Sequence, residues 1–88
     1  MKHELGNFTV ELTPENPDSP MSIVSGVMTL TVPSTAKIYV TPITQGADLN
    51  TVLIKMNGET NSTPEVSLYM TDSEVNTLEQ ISPLPLFK

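Results

Sequence analysis

The chain has 88 residues, ten acids against four lysines, a formal net charge of −6 and a single histidine, His3. It contains no cysteine, no arginine and no tryptophan. Disulfide staples and thiolate chemistry are thereby excluded, and the basic patch that nucleic acid or an anionic membrane surface demands is missing.

A chain of this size forms one domain of marginal stability, which predicts a domain over 1–82 followed by an extended apolar tail over 83–88. Threonine alone accounts for 12 residues, and its β-branch favours strands. The prolines fall between apolar segments, as punctuation does in a short-stranded β protein. The fold class expected is mostly β: a small antiparallel β-sandwich or open barrel of about five strands, with one C-terminal helix.

In chain order, the first residues are expected to be a mobile end, with His3 solvated. Phe8 to Thr13 alternates, with Phe8, Val10 and Leu12 on one face and Thr9, Glu11 and Thr13 on the other. That is a half-buried antiparallel strand. Pro14, Pro17 and Pro20 then stiffen a loop. Residues 21–32 read as one long second strand, with Gly26 in its middle marking a bulge or a close backbone approach. In that reading Val24, Met28, Leu30 and Val32 share one face, and Ile23 and Val27 the other.

Lys37 to Thr41 is a third strand, with Ile38 and Val40 inward and Tyr39 outward. Thr51 to Met56 is a fourth, with Val52, Ile54 and Met56 inward. Asn57-Gly58 signals a turn. Glu65 to Met70 is a fifth strand, with Val66, Leu68 and Met70 inward and Tyr69 outward. The period then changes. Thr71-Asp72-Ser73-Glu74 is a capping box, and Val75, Leu78 and Ile81 follow at helical spacing until Pro83 ends the helix.

The candidates for chemistry are few. His3 lies far from any strand that could orient it, so no nucleophilic triad forms around it. Asp72 and Glu74 suit the start of a helix better than acid–base work. Glu11 and Glu65 lie on outward faces, where Lys37 or Lys55 can pair with them across strands. Asp48-Leu49-Asn50 lacks the rest of a calcium loop, and Gly46 and Gly58 stand alone without a phosphate-cradling pattern. The sequence predicts no catalytic residues, no cofactor and no metal.

Features for binding are stronger. Leu84, Leu86 and Phe87 concentrate apolar bulk in the last residues, either folded back over the core or docked on a neighbour. Tyr39, Leu53 and Tyr69, with Ile23 and Val27, form an outward apolar stripe if their strands share a sheet.

The expectation for function is a non-enzymatic protein with a protein partner, self or heterologous, including a homo-oligomer. It takes two forms. The first is a small structural or assembly subunit of a viral or phage type particle or another multi-subunit complex. The second is an acidic inhibitor or adaptor that blocks a host enzyme, its basic nucleic-acid groove included. No charged leader precedes an apolar stretch and no apolar run is long enough to span a bilayer, so no secretion signal and a cytoplasmic or virion location are expected.

Overall fold

The computed structural model describes residues 1–57 and 64–88. They form β1 (Lys2–Leu5), β2 (Phe8–Leu12), β3 (Met21–Ser25), β4 (Met28–Val32), β5 (Lys37–Pro42), β6 (Asn50–Lys55), β7 (Glu65–Met70), α1 (Asp72–Ile81) and β8 (Leu86–Phe87). The strands make two four-stranded sheets, ordered β1-β2-β3-β4 and β7-β6-β5-β8. Every pairing is antiparallel except the parallel one between β5 and β8. The fold is mostly β, and neither sheet closes into a barrel. One core lies between the sheets. Val10, Met21, Ile23 and Val32 enter it from the first sheet, and Ile38, Val40, Val52, Ile54 and Met70 from the second. Each fully buried side chain of this kind contributes roughly 1.5–3 kcal/mol.

The number of strands exceeds the expected five by three: two glycine turns add β1 and divide 21–32 into β3 and β4, and the tail supplies β8. Residues 21–32 are not one strand: Gly26 and Val27 form a two-residue loop between β3 and β4. Gly26 has φ +61° and Val27, like every other non-glycine among the described residues, has no positive φ, the pattern of a type II′ turn. Gly26 is therefore a turn residue and not a bulge. The hairpin also changes the faces. Ile23 pairs with Leu30 on the same inner face, whereas a continuous strand would set them on opposite faces. Ile23 is buried and Val27 projects fully into solvent at the hairpin tip.

The same device builds β1. Gly6, with φ +57°, and Asn7 join β1 to β2, so the N-terminal residues are a strand and not a loose end. The Met1 carbonyl accepts from the Leu12 N–H, and the Met1 ammonium donates to the Leu12 carbonyl. His3 faces Val10 across the pair, on the inner side of β1 with Leu5. Its Nε2 is buried with no hydrogen-bond partner. His3 is therefore half-buried on a strand and not a solvated end, because the Gly6-Asn7 turn folds residues 2–5 back onto β2.

In the second sheet the alternation places residues as expected. Ile38, Val40, Val52, Ile54 and Met70 are buried, and Val66 and Leu68 half-buried. The Asn57-Gly58 turn signal runs from Asn57, the last residue described before the gap, into Gly58, which lies outside the described residues. The Thr71 hydroxyl accepts from the Glu74 N–H, and the Glu74 carboxylate accepts from the Thr71 N–H, so the capping box forms in full. α1 buries Val75 and Leu78 and carries the chain from the β7 edge of its sheet to the opposite edge, where β8 adds beside β5. No helix among the described residues is long and apolar enough to cross a membrane.

Glu74 does more than cap. Its second carboxylate oxygen accepts from the Asn7 N–H at 2.8 Å, in the β1–β2 turn. Burial pushes this carboxyl up, but the N–H groups of Thr71 and Asn7 and the Thr71 side chain outweigh it and hold the group below its ordinary value. The charged form is therefore the one the fold binds. Its contribution to stability is present at neutral pH and is lost as pH falls through and below the ordinary glutamate range. Acid titration of the unfolding transition should show this loss, and Glu74→Gln should flatten it while costing about 1–3 kcal/mol at neutral pH.

The two turn glycines separate conformational strain from contact. A Cβ on Gly26 meets nothing within 4 Å, whereas one on Gly6 runs into the Glu74 carboxylate. That carboxylate is pinned by two backbone donors and cannot yield freely. In denaturant unfolding, Gly26→Ala should cost about 1 kcal/mol and Gly6→Ala distinctly more, by roughly 1–2 kcal/mol.

Candidate interaction surface

The second sheet turns one face to the core and the other to solvent. Alternation puts Lys37, Tyr39 and Thr41 of β5 on the outer face, with Thr51, Leu53 and Lys55 of β6 and Glu65, Ser67 and Tyr69 of β7. Tyr39 stands opposite Leu53, Leu53 opposite Ser67, and Thr51 opposite Tyr69. β8 adds Phe87 beside Tyr39. Their ring centroids are 5.4 Å apart with planes tilted by 32°, within the range of favourable aromatic pairs. Tyr69 is 60% exposed and Phe87 43% exposed, while Tyr39 and Leu53 are half-buried. The result is four apolar and aromatic side chains on one sheet face, with Tyr69 diagonal to Leu53 across β6 and β7.

Charge frames one end of the patch. The Lys55 ammonium lies 5.6 Å from the centre of the Tyr39 ring and 3.9 Å from the Glu65 carboxylate. Lys55 thus takes the cross-strand partner expected for Glu65. Glu11 pairs with Lys2 at 4.0 Å, a partner that becomes available only because β1 is a strand. Such exposed pairs contribute little to stability and act mainly on orientation.

Of the six residues the sequence singled out for partner binding, four come together here: Tyr39, Leu53, Tyr69 and Phe87. Leu84 and Leu86 do not join them. They pack half-buried against the core, with Leu86 opposite Ile38 in the parallel register. The tail is held within its own chain. Ser82 Oγ donates to the Leu84 carbonyl and accepts from the Leu84 N–H, and Lys88 reaches Glu79 at 2.7 Å. Ile23 and Val27 leave the stripe, for the reasons given above.

The acids weighed for chemistry are used in structure. The Asp48 carboxylate accepts from the Asp72 N–H at 2.9 Å. The buried Asn50 donates through Nδ2 to the Met70 carbonyl and to Asp72 Oδ1. Asn50 and Asp72 border an open cleft of about 370 Å³ that Val40, Val75 and Lys88 also line. No group of three metal-ligating side chains occurs among the described residues.

No protein family, curated protein or solved structure matches this chain.

The geometry divides the patch into two parts with different roles. Phe87 holds β8 to the sheet through Tyr39, so Phe87→Ala should lower the unfolding free energy by about 1 kcal/mol. Tyr69 has solvent on most of its ring, so Tyr69→Ser should change it by no more than about 0.5 kcal/mol. Chemical denaturation of the two variants checks both.

Proposed function

We propose that this protein works by binding another protein, as a small structural or assembly subunit of a viral or phage type particle or a comparable complex. The outer face of the second sheet is its contact. The observation that carries this reading is the joining of Tyr39, Leu53, Tyr69 and Phe87 in one solvent-facing patch. Aromatic groups with few rotatable bonds supply contact area at small entropic cost, which is why they concentrate at protein interfaces. A sheet face backed by a packed core also presents them without rearrangement. A domain this small, without a disulfide, gains stability from docking.

The rival reading, an acidic inhibitor or adaptor, has one observation in its favour. Lys2, Lys55 and Lys88 are each paired with a glutamate. The surface field that remains is negative, and it would steer a basic partner into contact.

Light scattering after size exclusion, from micromolar to millimolar concentration, separates the two. The assembly reading expects association that Leu53→Lys with Tyr69→Lys weakens at least about tenfold, the melting temperature staying unchanged. A monomer at every concentration transfers the weight to a basic heterologous partner. Association indifferent to the double substitution removes the aromatic face as the contact.

A further inference from the structure

We propose that β4 is a self-pairing edge, and that two copies of this chain join through it, antiparallel, into one continuous eight-stranded sheet. Four observations support this. The sheet ends at β4, and among the described residues no strand pairs with its outer edge. Proteins protect such edges with charge, proline or shortness. β1 carries Lys2 and Glu4, β8 has two residues, and β7 starts at Glu65 just after Pro64. β4, Met28-Thr29-Leu30-Thr31-Val32, carries no charge, and its flanking proline, Pro33, follows the strand's last residue and leaves Thr29 and Thr31 unguarded.

Charge selects the partner. From Ser19 to Ala36 the sequence carries no charged residue, its longest neutral run, in a chain of net charge −6. Two such anions repel wherever acidic surfaces face each other. The neutral β3–β4 hairpin is where they meet at least Coulombic cost.

The register is self-complementary. In a hairpin with a two-residue loop, Ser25 and Met28 form the hydrogen-bonded closing pair, and the bonded pairs then alternate. Ile23–Leu30 and Met21–Val32 continue that set, so the N–H and C=O groups of Thr29 and Thr31 point away from β3. Centred on Leu30, the two copies place Thr29 of each against Thr31 of the other, which satisfies all of these groups. Leu30 meets its own counterpart on the twofold axis.

That axis stands perpendicular to the sheet, so both second layers lie on the same side. An apolar groove of about 160 Å³ opens there, between Met28 and Leu30 of β4 and Val66 and Leu68 of β7. Met28 is 71% exposed, and Leu30, Val66 and Leu68 are half-buried. A second copy covers all four. This contact uses an edge and not the aromatic face, so Thr31→Pro and Leu30→Cys probe it separately from the Leu53 and Tyr69 substitutions that probe the proposed function.

Single cysteines in a cysteine-free chain test it. Leu30→Cys should give a disulfide-linked dimer of the folded protein under mild oxidation, since the Cα atoms of such a non-hydrogen-bonded pair lie about 4.5 Å apart. Ser67→Cys, on the aromatic face, should not. By light scattering the unmodified chain should pass from monomer to dimer mass with concentration. Thr31→Pro, which removes only an outward N–H, should raise the dissociation constant at least about tenfold. The proposal is overturned by a monomer up to millimolar concentration, by a dimer indifferent to Thr31→Pro, or by cross-linking at Ser67 instead of Leu30. If Thr31→Pro unfolds the chain, the cysteine pair decides alone.

Discussion

The Glu74 carboxylate ties together the two halves of this molecule. It sits at the third position of α1, completes the capping box with Thr71, and accepts the Asn7 N–H from a turn 67 residues away in sequence. Burying a carboxylate is costly unless its oxygens are satisfied. Here two backbone N–H groups and the positive end of a helix offset the cost. The first sheet is thereby anchored at its β1 end, and the helix that follows the second sheet is anchored at its start. Gly6 belongs to the same joint, because any side chain there would displace the carboxylate. The consequence reaches far along the chain. α1 so fixed places Val75 and Leu78 in the core and delivers β8 to the outer edge of β5. Phe87 then lies against Tyr39. The place of Phe87 in the aromatic patch thus follows from a helix whose start is fixed by charge-assisted hydrogen bonds elsewhere in the molecule.

What was legible in the sequence follows from how local each signal is. The capping box is a four-residue pattern with its own hydrogen bonds, and it forms as written. Tyr39, Leu53 and Tyr69 lie on strands whose alternation is clean, and their shared outward face was readable once those strands were assigned. The misreadings share one cause. Gly6-Asn7 and Gly26-Val27 are two-residue turns with glycine first, a signal weaker to the eye than Asn-Gly but with the same meaning. Missing the first left His3 and β1 as a loose end. Missing the second fused β3 with β4, and the error propagated, because an uninterrupted strand reverses the faces of everything beyond the turn. The path of the tail had no local signal. Leu84 and Leu86 face inward because the helix brings them back to β5, which is a property of the whole topology.

The same topology gives the two exposed apolar regions different characters. The face bearing Tyr39, Leu53, Tyr69 and Phe87 presents side chains and not backbone groups, so side chains determine what it can hold. Rigid aromatic groups on a flat sheet suit a partner of complementary shape, and the Lys55–Glu65 pair fixes orientation at one end. The β4 edge is the reverse case. Apart from the exposed Met28, its side chains are threonines or turn toward the core, and its unpaired groups are backbone donors and acceptors that accept any extended strand. Discrimination at such an edge comes from what surrounds it.

Electrostatics supplies that discrimination. At physiological salt the field of a surface charge decays over about 8 Å, so repulsion between two copies depends on which charges face each other and not on the total of −6. The neutral stretch from Ser19 to Ala36 keeps carboxylates away from β4, while Lys2 and Glu4 mark the opposite edge of the same sheet. In the proposed pair, growth from β4 stops at two copies, because the joined sheet ends on each side at a charged β1 edge. An acidic chain with one neutral edge has a built-in limit on edge pairing, and this leaves two aromatic faces outward on one side of the closed pair. Such a pair is a bivalent unit, and bivalency strengthens docking on a repeated partner without any new contact.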